Sequence, residues 1–445
     1  MKVALVMPMS PESVVAQVMV QALSDIASRW DVDVWCPAGS AYRPCPVLVR
    51  PFDGATADVI EALRAYDLVV YAFGNNSRHE RIARLALAVP GLVVLHDVSS
   101  TATTLEAARS GDRHARRLGT ARRMGDDALT LSVGEVALTD VPELGQTPYD
   151  EVALDEESVE SVVTAGSLGI VVHSSWHAAR VDGMTLGEVT VAPLPVPAAL
   201  PPTGTDDSGR AAALLAGLPA DAVLVVIQGA VELDGRIAEL LGAVADDEFL
   251  RDRVHIWVVA AAGDTLSQAT VRLAQALGVG DHLAATGDVS AGSMQAILER
   301  ADIVLVLAGA ELEGELARVL AYLAAGATVV VDDRSPFVEL PVDVVVTADR
   351  RCGRSDIRTV LRRVADEPVE RRRRRQESRH GIEAERSDVR YATALLDAGE
   401  RALAAKPVSH LTEDLRARLQ RLGLGRDPRV VDLVASLAFE LFDLG

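Results

Sequence analysis

Residues 301–333, ADIVLVLAGAELEGELARVLAYLAAGATVVVDD, restrict the fold more than any other stretch. They read as strand, loop, helix and strand. An apolar run from Ile303 to Leu307 meets an acidic loop, then a helix with apolar residues at helical spacing, then Thr328–Val331 after Gly326. Strands joined through a helix pair in parallel. Such a unit puts the loop and the helix N-terminus at the carboxyl edge of the sheet, where open α/β sheets bind ligands. Composition agrees: aromatic residues are only 4% of the chain, and Ala, Val and Leu dominate, as buried parallel strands and their covering helices require.

A chain of 445 residues is too long for one core and implies two domains. At 49% hydrophobic and 24% charged it is globular rather than disordered. The net charge of −20 leaves no basic excess to displace counterions from phosphates, which excludes general nucleic-acid binding. Cys36, Cys45 and Cys352 are odd in number and lack metal-ligand spacing. Cys36 and Cys45 are near enough in sequence to meet, but a reduced state is expected. The opening MKVALVMPM is too short an apolar run for a signal peptide, and no stretch has the length of a membrane span. A cytoplasmic protein is expected.

In chain order, strands are expected at 2–7, 31–35, 68–73, 91–95, 169–173 and 189–196, interleaved with helices. Residues 193–209 hold five prolines with Gly, Thr, Ser and Asp, which reads as a linker. A second series follows, with strands at 222–228, 254–260, 281–286, 303–307, 328–331 and 344–347. The expected division is a domain of residues 1–195, a second of 210–385, and C-terminal helices over 386–445. The Arg-rich insert 100–146 offers either a solvated helix face or an attraction for an anionic acceptor, lipid phosphate or partner. The five-Arg block at 371–375, flanked by glutamates, reads as a solvated face. The last helix, after Asp427-Pro428, has an apolar stripe that must be buried on its own domain or on a partner.

Several motifs resemble the retaining glycosyltransferases of family four, which have the GT-B fold. Tyr71, Gly74, Asn75 and His79, then Pro90, His96 and Asp97, fit a Tyr-x-x-Gly-Asn-x-x-x-His block followed by P-G-x-V-V-L-H-D. The V-H-S text at 172–174 and the loop residues Gly287 and Ser290 fit as well. In the donor-sugar segment Glu313, Gly314 and Gly326 stand at their family positions. The resemblance implies two Rossmann-like domains facing a cleft, with a C-terminal helical segment crossing back. It implies that His96 and Glu313 are catalytic, and that Gly229, Arg236, Gly287, Glu313 and Gly314 bind the donor. Asn75, His79 and Asp97 fall on the acceptor side. The donor would be a nucleotide-diphosphate sugar, with no further cofactor. For His96 the reading from the residues alone is local packing and hydrogen bonding.

Other positions depart from the family. Val14 stands where a phosphate-approaching glycine is expected, and a β-branched residue restricts that approach. Ala230 and Gly235 occupy the places of the two cations that neutralise the departing diphosphate. Arg236 follows, displaced by one residue and so pointing about 100° away on a helix. Glu315-Leu316 replaces Phe-Gly, and Ala321 replaces the second Glu. Asp31 and Asp33 form a D-x-D, which holds a metal in other glycosyltransferase folds; here it opens a strand expected near the surface, and no metal is expected. Two readings stand: a working retaining glycosyltransferase, or a catalytically silent homologue. The latter would bind an active glycosyltransferase, or itself, through the tail or the Arg-rich insert.

Overall fold

In a computed structural model the described residues are 1–11, 13–39, 41–74, 79–96, 166–185, 187–198, 209–228, 236–259, 268–287, 289–306, 313–332, 336–340, 345–348, 353–366, 373, 381–382 and 385–421. The Arg-rich insert, nearly all of the five-Arg block and the terminal helix lie outside them.

The first half contains β1 (Lys2–Val6), α1 (Val14–Ala27), β2 (Asp31–Pro37), β3 (Val49–Phe52), α2 (Ala57–Arg64), β4 (Leu68–Phe73), α3 (Glu80–Ala88) and β5 (Leu92–Leu95). It continues with β6 (Gly169–Val172), α4 (Ser175–Val181) and β7 (Glu188–Val191). All seven strands pair in parallel, in the order β3-β2-β1-β4-β5-β6-β7. β4 and β5 are buried along their whole length, which explains their unbroken apolar text. The sequence gives no clear sign of β3, because Arg50 and Pro51 interrupt it. It is the edge strand, where proline and charge are tolerated.

The second half contains α5 (Arg210–Gly217), β8 (Val223–Gln228), α6 (Arg236–Ala245), α7 (Glu248–Arg253), β9 (Val254–Val259) and α8 (Gln268–Ala276). Then come β10 (Leu283–Ala285), α9 (Ala291–Arg300), β11 (Ile303–Val306), α10 (Glu313–Ala324), β12 (Thr328–Asp332), β13 (Val345–Ala348) and α11 (Arg354–Asp366). These six strands are also parallel, in the order β10-β9-β8-β11-β12-β13. Strand β10 is shorter than expected because residues 280–282 form a 3-10 turn. Both sheets are doubly wound, reversing direction between β1 and β4 and between β8 and β11. Crevices outside the carboxyl ends of strands form at those switch points. The βαβ unit that constrains the sequence therefore starts on a switch-point strand.

The long α12 (Asp388–Arg421) returns to the first sheet, packing on α1 and on β4 to β7. Tyr391, Leu395, Leu396 and Ala402 are buried there. Gly399 permits the approach, since a Cβ at that position would lie 2.4 Å from the Trp30 ring. Arg401 ties the helix to Glu188 at 2.9 Å and to Thr190 at 2.8 Å. The helix runs on to Arg421. It continues through Pro407, whose missing N–H removes one backbone hydrogen bond without stopping the run.

Candidate active site

At the carboxyl edge of the first sheet, three histidines converge because three neighbouring parallel strands, β4, β5 and β6, end together. His79 follows β4 at the start of α3 and is buried, its Nδ1 accepting from the Gly74 N–H at 3.1 Å. His96 follows β5, held by its own N–H to the Phe73 carbonyl at 2.8 Å. His173 follows β6, with Nδ1 3.0 Å from the Ala192 carbonyl and Nε2 3.1 Å from His96 Nδ1.

These contacts settle the tautomers. A carbonyl oxygen can only accept, so His173 Nδ1 carries a proton and donates it to Ala192. Burial lowers the His173 pKa to about 4, so at neutral pH the ring is neutral and its Nε2 is an acceptor. His96 Nδ1–H donates to that Nε2, and the His96 Nε2 is left with a lone pair. His96 is 6% exposed, and its Nε2 is buried without a hydrogen-bond partner among the described residues. Burial first, then the neighbouring His173 and His79, hold His96 well below the ordinary imidazole value. The edge thus presents a preset neutral acceptor, matched to a hydroxyl donor. The Tyr391 ring of α12, 5.7 Å away, backs His173 from the other side.

His173 belongs to the arrangement but was not singled out as a site residue from the sequence. The available signal was that a second His ends an adjacent strand. Beyond it, Ser174 caps α4, and burial pushes His177 down to about 3. The Trp176 N–H donates to the Glu339 carboxylate at 2.7 Å, so the loop after β6 touches the 3-10 turn Pro336–Glu339 of the second half.

The second sheet supplies the other side. Strand β8 ends at Gln228 and α6 opens at Arg236; β11 ends at Val306, and Glu313 and Gly314 open α10. Both helices therefore start beside the switch point between β8 and β11. Gly287 follows β10 with φ +69°, a conformation that favours glycine, and its carbonyl accepts from Thr286 Oγ1 at 2.9 Å. Ser290 then caps α9. Ala321, at the family's second Glu position, is 7% exposed and part of the apolar core. Asn75, Asp97 and Gly229 lie outside the described residues, as do Ala230 and Gly235.

Val14 opens α1, capped by Ser13 Oγ at 3.1 Å from the Ala16 N–H, and no described non-glycine residue has positive φ. Of the D-x-D pair, Asp31 is exposed at the start of β2, whereas Asp33 is buried, accepting from Arg50 Nε at 3.1 Å and from the Tyr66 hydroxyl. Strand alternation puts Asp31 and Asp33 on one face, and Tyr66 covers the second of them.

No protein-family model matches the chain, and no curated protein matches its sequence. Solved structures do. Sucrose-phosphate synthase from Thermosynechococcus elongatus superposes with a TM-score of 0.56 at 16% identity, over 91% of this chain and 99% of that one. The fold is GT-B. The Anabaena protein HepE, solved in complex with UDP and glucose, gives 0.55 at 13% identity over 89% and 98% of the two chains. A glycosyltransferase from Rickettsia africae gives 0.56 at 10% identity over 90% and 98%. At these identities the likeness establishes the GT-B architecture and leaves chemistry to the residues. Among the described residues no helix is long and apolar enough to cross a membrane.

Proposed function

We propose that this GT-B protein transfers a sugar, with retention, from a nucleotide-diphosphate sugar to an acceptor, in the manner of family four. The observation that carries the reading is the His96 Nε2 lone pair, buried, without a partner among the described residues and held in its tautomer by His173. A buried acceptor left unpaired costs stability, so a hydroxyl from a ligand restores what folding removed. Glu313, at the first turn of α10 beside the second switch point, supplies the carboxylate, and the N-terminal turns of α6 and α10 attract the diphosphate. Gly229, Arg236, Gly287 and Gly314 belong to the donor side, and Asn75, His79 and Asp97 to the acceptor side. Domains at 1–195 and 210–385, with 386–445 as the returning helices, complete the reading. The proposed setting is the cytoplasm, in keeping with Cys36 and Cys45 as free thiols.

A second reading, a silent homologue that partners an active glycosyltransferase, is favoured by one observation. Ala321 fills a core position where the family has a carboxylate, and Ala230 and Gly235 take the places of the cations. Calorimetric titration with a panel of nucleotide diphosphates and nucleotide sugars separates the two. Binding with release of nucleotide diphosphate in the presence of acceptor sugars supports the enzyme. Absence of binding, with stable association to a second glycosyltransferase, overturns it.

A further inference from the structure

Where the chain enters α12, it runs beside the segment leaving the first sheet, and the Val196 N–H donates to the Arg386 carbonyl at 3.0 Å. Gln21 of α1 clamps the same junction, donating at 2.7 Å both to the Val196 carbonyl and to Asp388. Arg386 lies in this crossing and is 8% exposed. Among the described residues its guanidinium makes no hydrogen bond and no ion pair, and Nη1 is buried without a partner. Glu339 and Glu385 are near enough to favour its charge, yet neither pairs with it, and Glu339 is engaged by the Trp176 N–H. Its cation is felt at His173, the ring that orients His96.

A guanidinium nitrogen removed from water and given no acceptor among the described residues is costly to bury. The planar fork of a guanidinium fits a phosphoryl group by two parallel hydrogen bonds. The adjacent histidine pair ends in a hydroxyl acceptor.

We infer that Arg386 is an anion-binding residue of the cleft, taking a phosphoryl group of a ligand whose hydroxyl meets His96. The phosphoryl group belongs either to the donor's diphosphate, for which Ala230 and Gly235 provide no cation, or to a phosphorylated sugar acceptor. The inference rests on the glycosyltransferase reading only for the source of the group. Binding of inorganic pyrophosphate without any sugar transfer would leave the site standing while that reading failed.

The test is the thermal midpoint of the full chain, measured against inorganic pyrophosphate, UDP and glucose 6-phosphate, for the wild type and for Arg386→Met. A ligand that binds only the folded state raises the midpoint with concentration. The wild type is expected to respond to pyrophosphate. Arg386→Met should lose that response and, ligand-free, melt no lower than the wild type, because an unpaired buried charge has been replaced by apolar volume. A response to UDP without one to glucose 6-phosphate assigns the group to the donor; the reverse assigns it to the acceptor. If Arg386→Met does not fold, Arg386→Lys keeps the charge without the fork and should bind pyrophosphate roughly tenfold or more weakly. An unchanged response in either variant, or no response of the wild type to any of the three, overturns the assignment.

Discussion

The two sheets share one strand order, yet their carboxyl edges have diverged. At the first, the ends of β4, β5 and β6 bring His79, His96 and His173 together and define a single tautomeric state. At the second, α6 and α10 start beside the switch point between β8 and β11. The resemblance puts Ala230 and Gly235, however, where cations would answer a diphosphate's charge, and Ala321 where a second carboxylate would stand. The difference teaches that the GT-B frame is held by its apolar strands and does not depend on keeping the polar residues at their ends. It also places the polar constraint of this protein on the first sheet and on the crossing segment around Arg386.

The comparison is sharpened most by restoring the second edge. One charge-assisted contact contributes about 1.5–3 kcal/mol, so Ala230→Arg with Gly235→Lys should tighten nucleotide-diphosphate binding by roughly two to four powers of ten. Calorimetry of the double variant checks this, and a gain below tenfold would show that the second edge is not short of charge. The unmodified protein should bind at high micromolar affinity or weaker.

Next in size is the helix that binds the first sheet to the chain's end. Gly399→Val drives a side chain into the Trp30 ring, where even a Cβ would stand 2.4 Å away. Overpacking of that kind costs roughly 3 kcal/mol. Denaturant unfolding should show the loss, and a midpoint within error of the wild type would mean that α12 does not press on Trp30.

The histidine edge should also make stability depend on pH in one direction. Burial lowers His173 from its ordinary 6.5 to about 4. Between those values the unfolded chain binds a proton that the folded chain refuses, so stability is full above about pH 6.5 and falls as pH drops towards 4. His173 alone accounts for roughly 3 kcal/mol over that window, with His96 and His177 adding in the same sense. Denaturant midpoints at stepped pH measure the slope, which His173→Phe should flatten; an equal slope in that variant would detach it from the histidine pair.

Much of the frame was readable because parallel strands buried on both faces leave long apolar text. Lys2–Val6, Leu68–Phe73 and Ile303–Val306 announce themselves in that way. Strand β3 did not, since an edge strand carrying Arg50 and Pro51 has no such run. Helix α12 passes through Pro407, a residue that usually interrupts a helix. His96 and Glu313 were legible as residues that follow apolar strands. The bond from His96 to His173 was not, because it joins positions 77 residues apart through the sheet order alone. Arg386 escaped for the same reason: its burial depends on where the chain crosses back, and no local pattern encodes that.

The central claim is that a nucleotide sugar spans the two edges with one of its sugar hydroxyls on His96 Nε2. It is tested most directly by calorimetric titration of matched pairs, each nucleotide diphosphate and its glucose conjugate, into the wild type and His96→Phe. The account predicts that the sugar strengthens wild-type binding by roughly two- to tenfold, the worth of one neutral hydrogen bond, and that His96→Phe erases the difference. Equal affinities for nucleotide and conjugate in the wild type, or a sugar contribution that survives in His96→Phe, would contradict it.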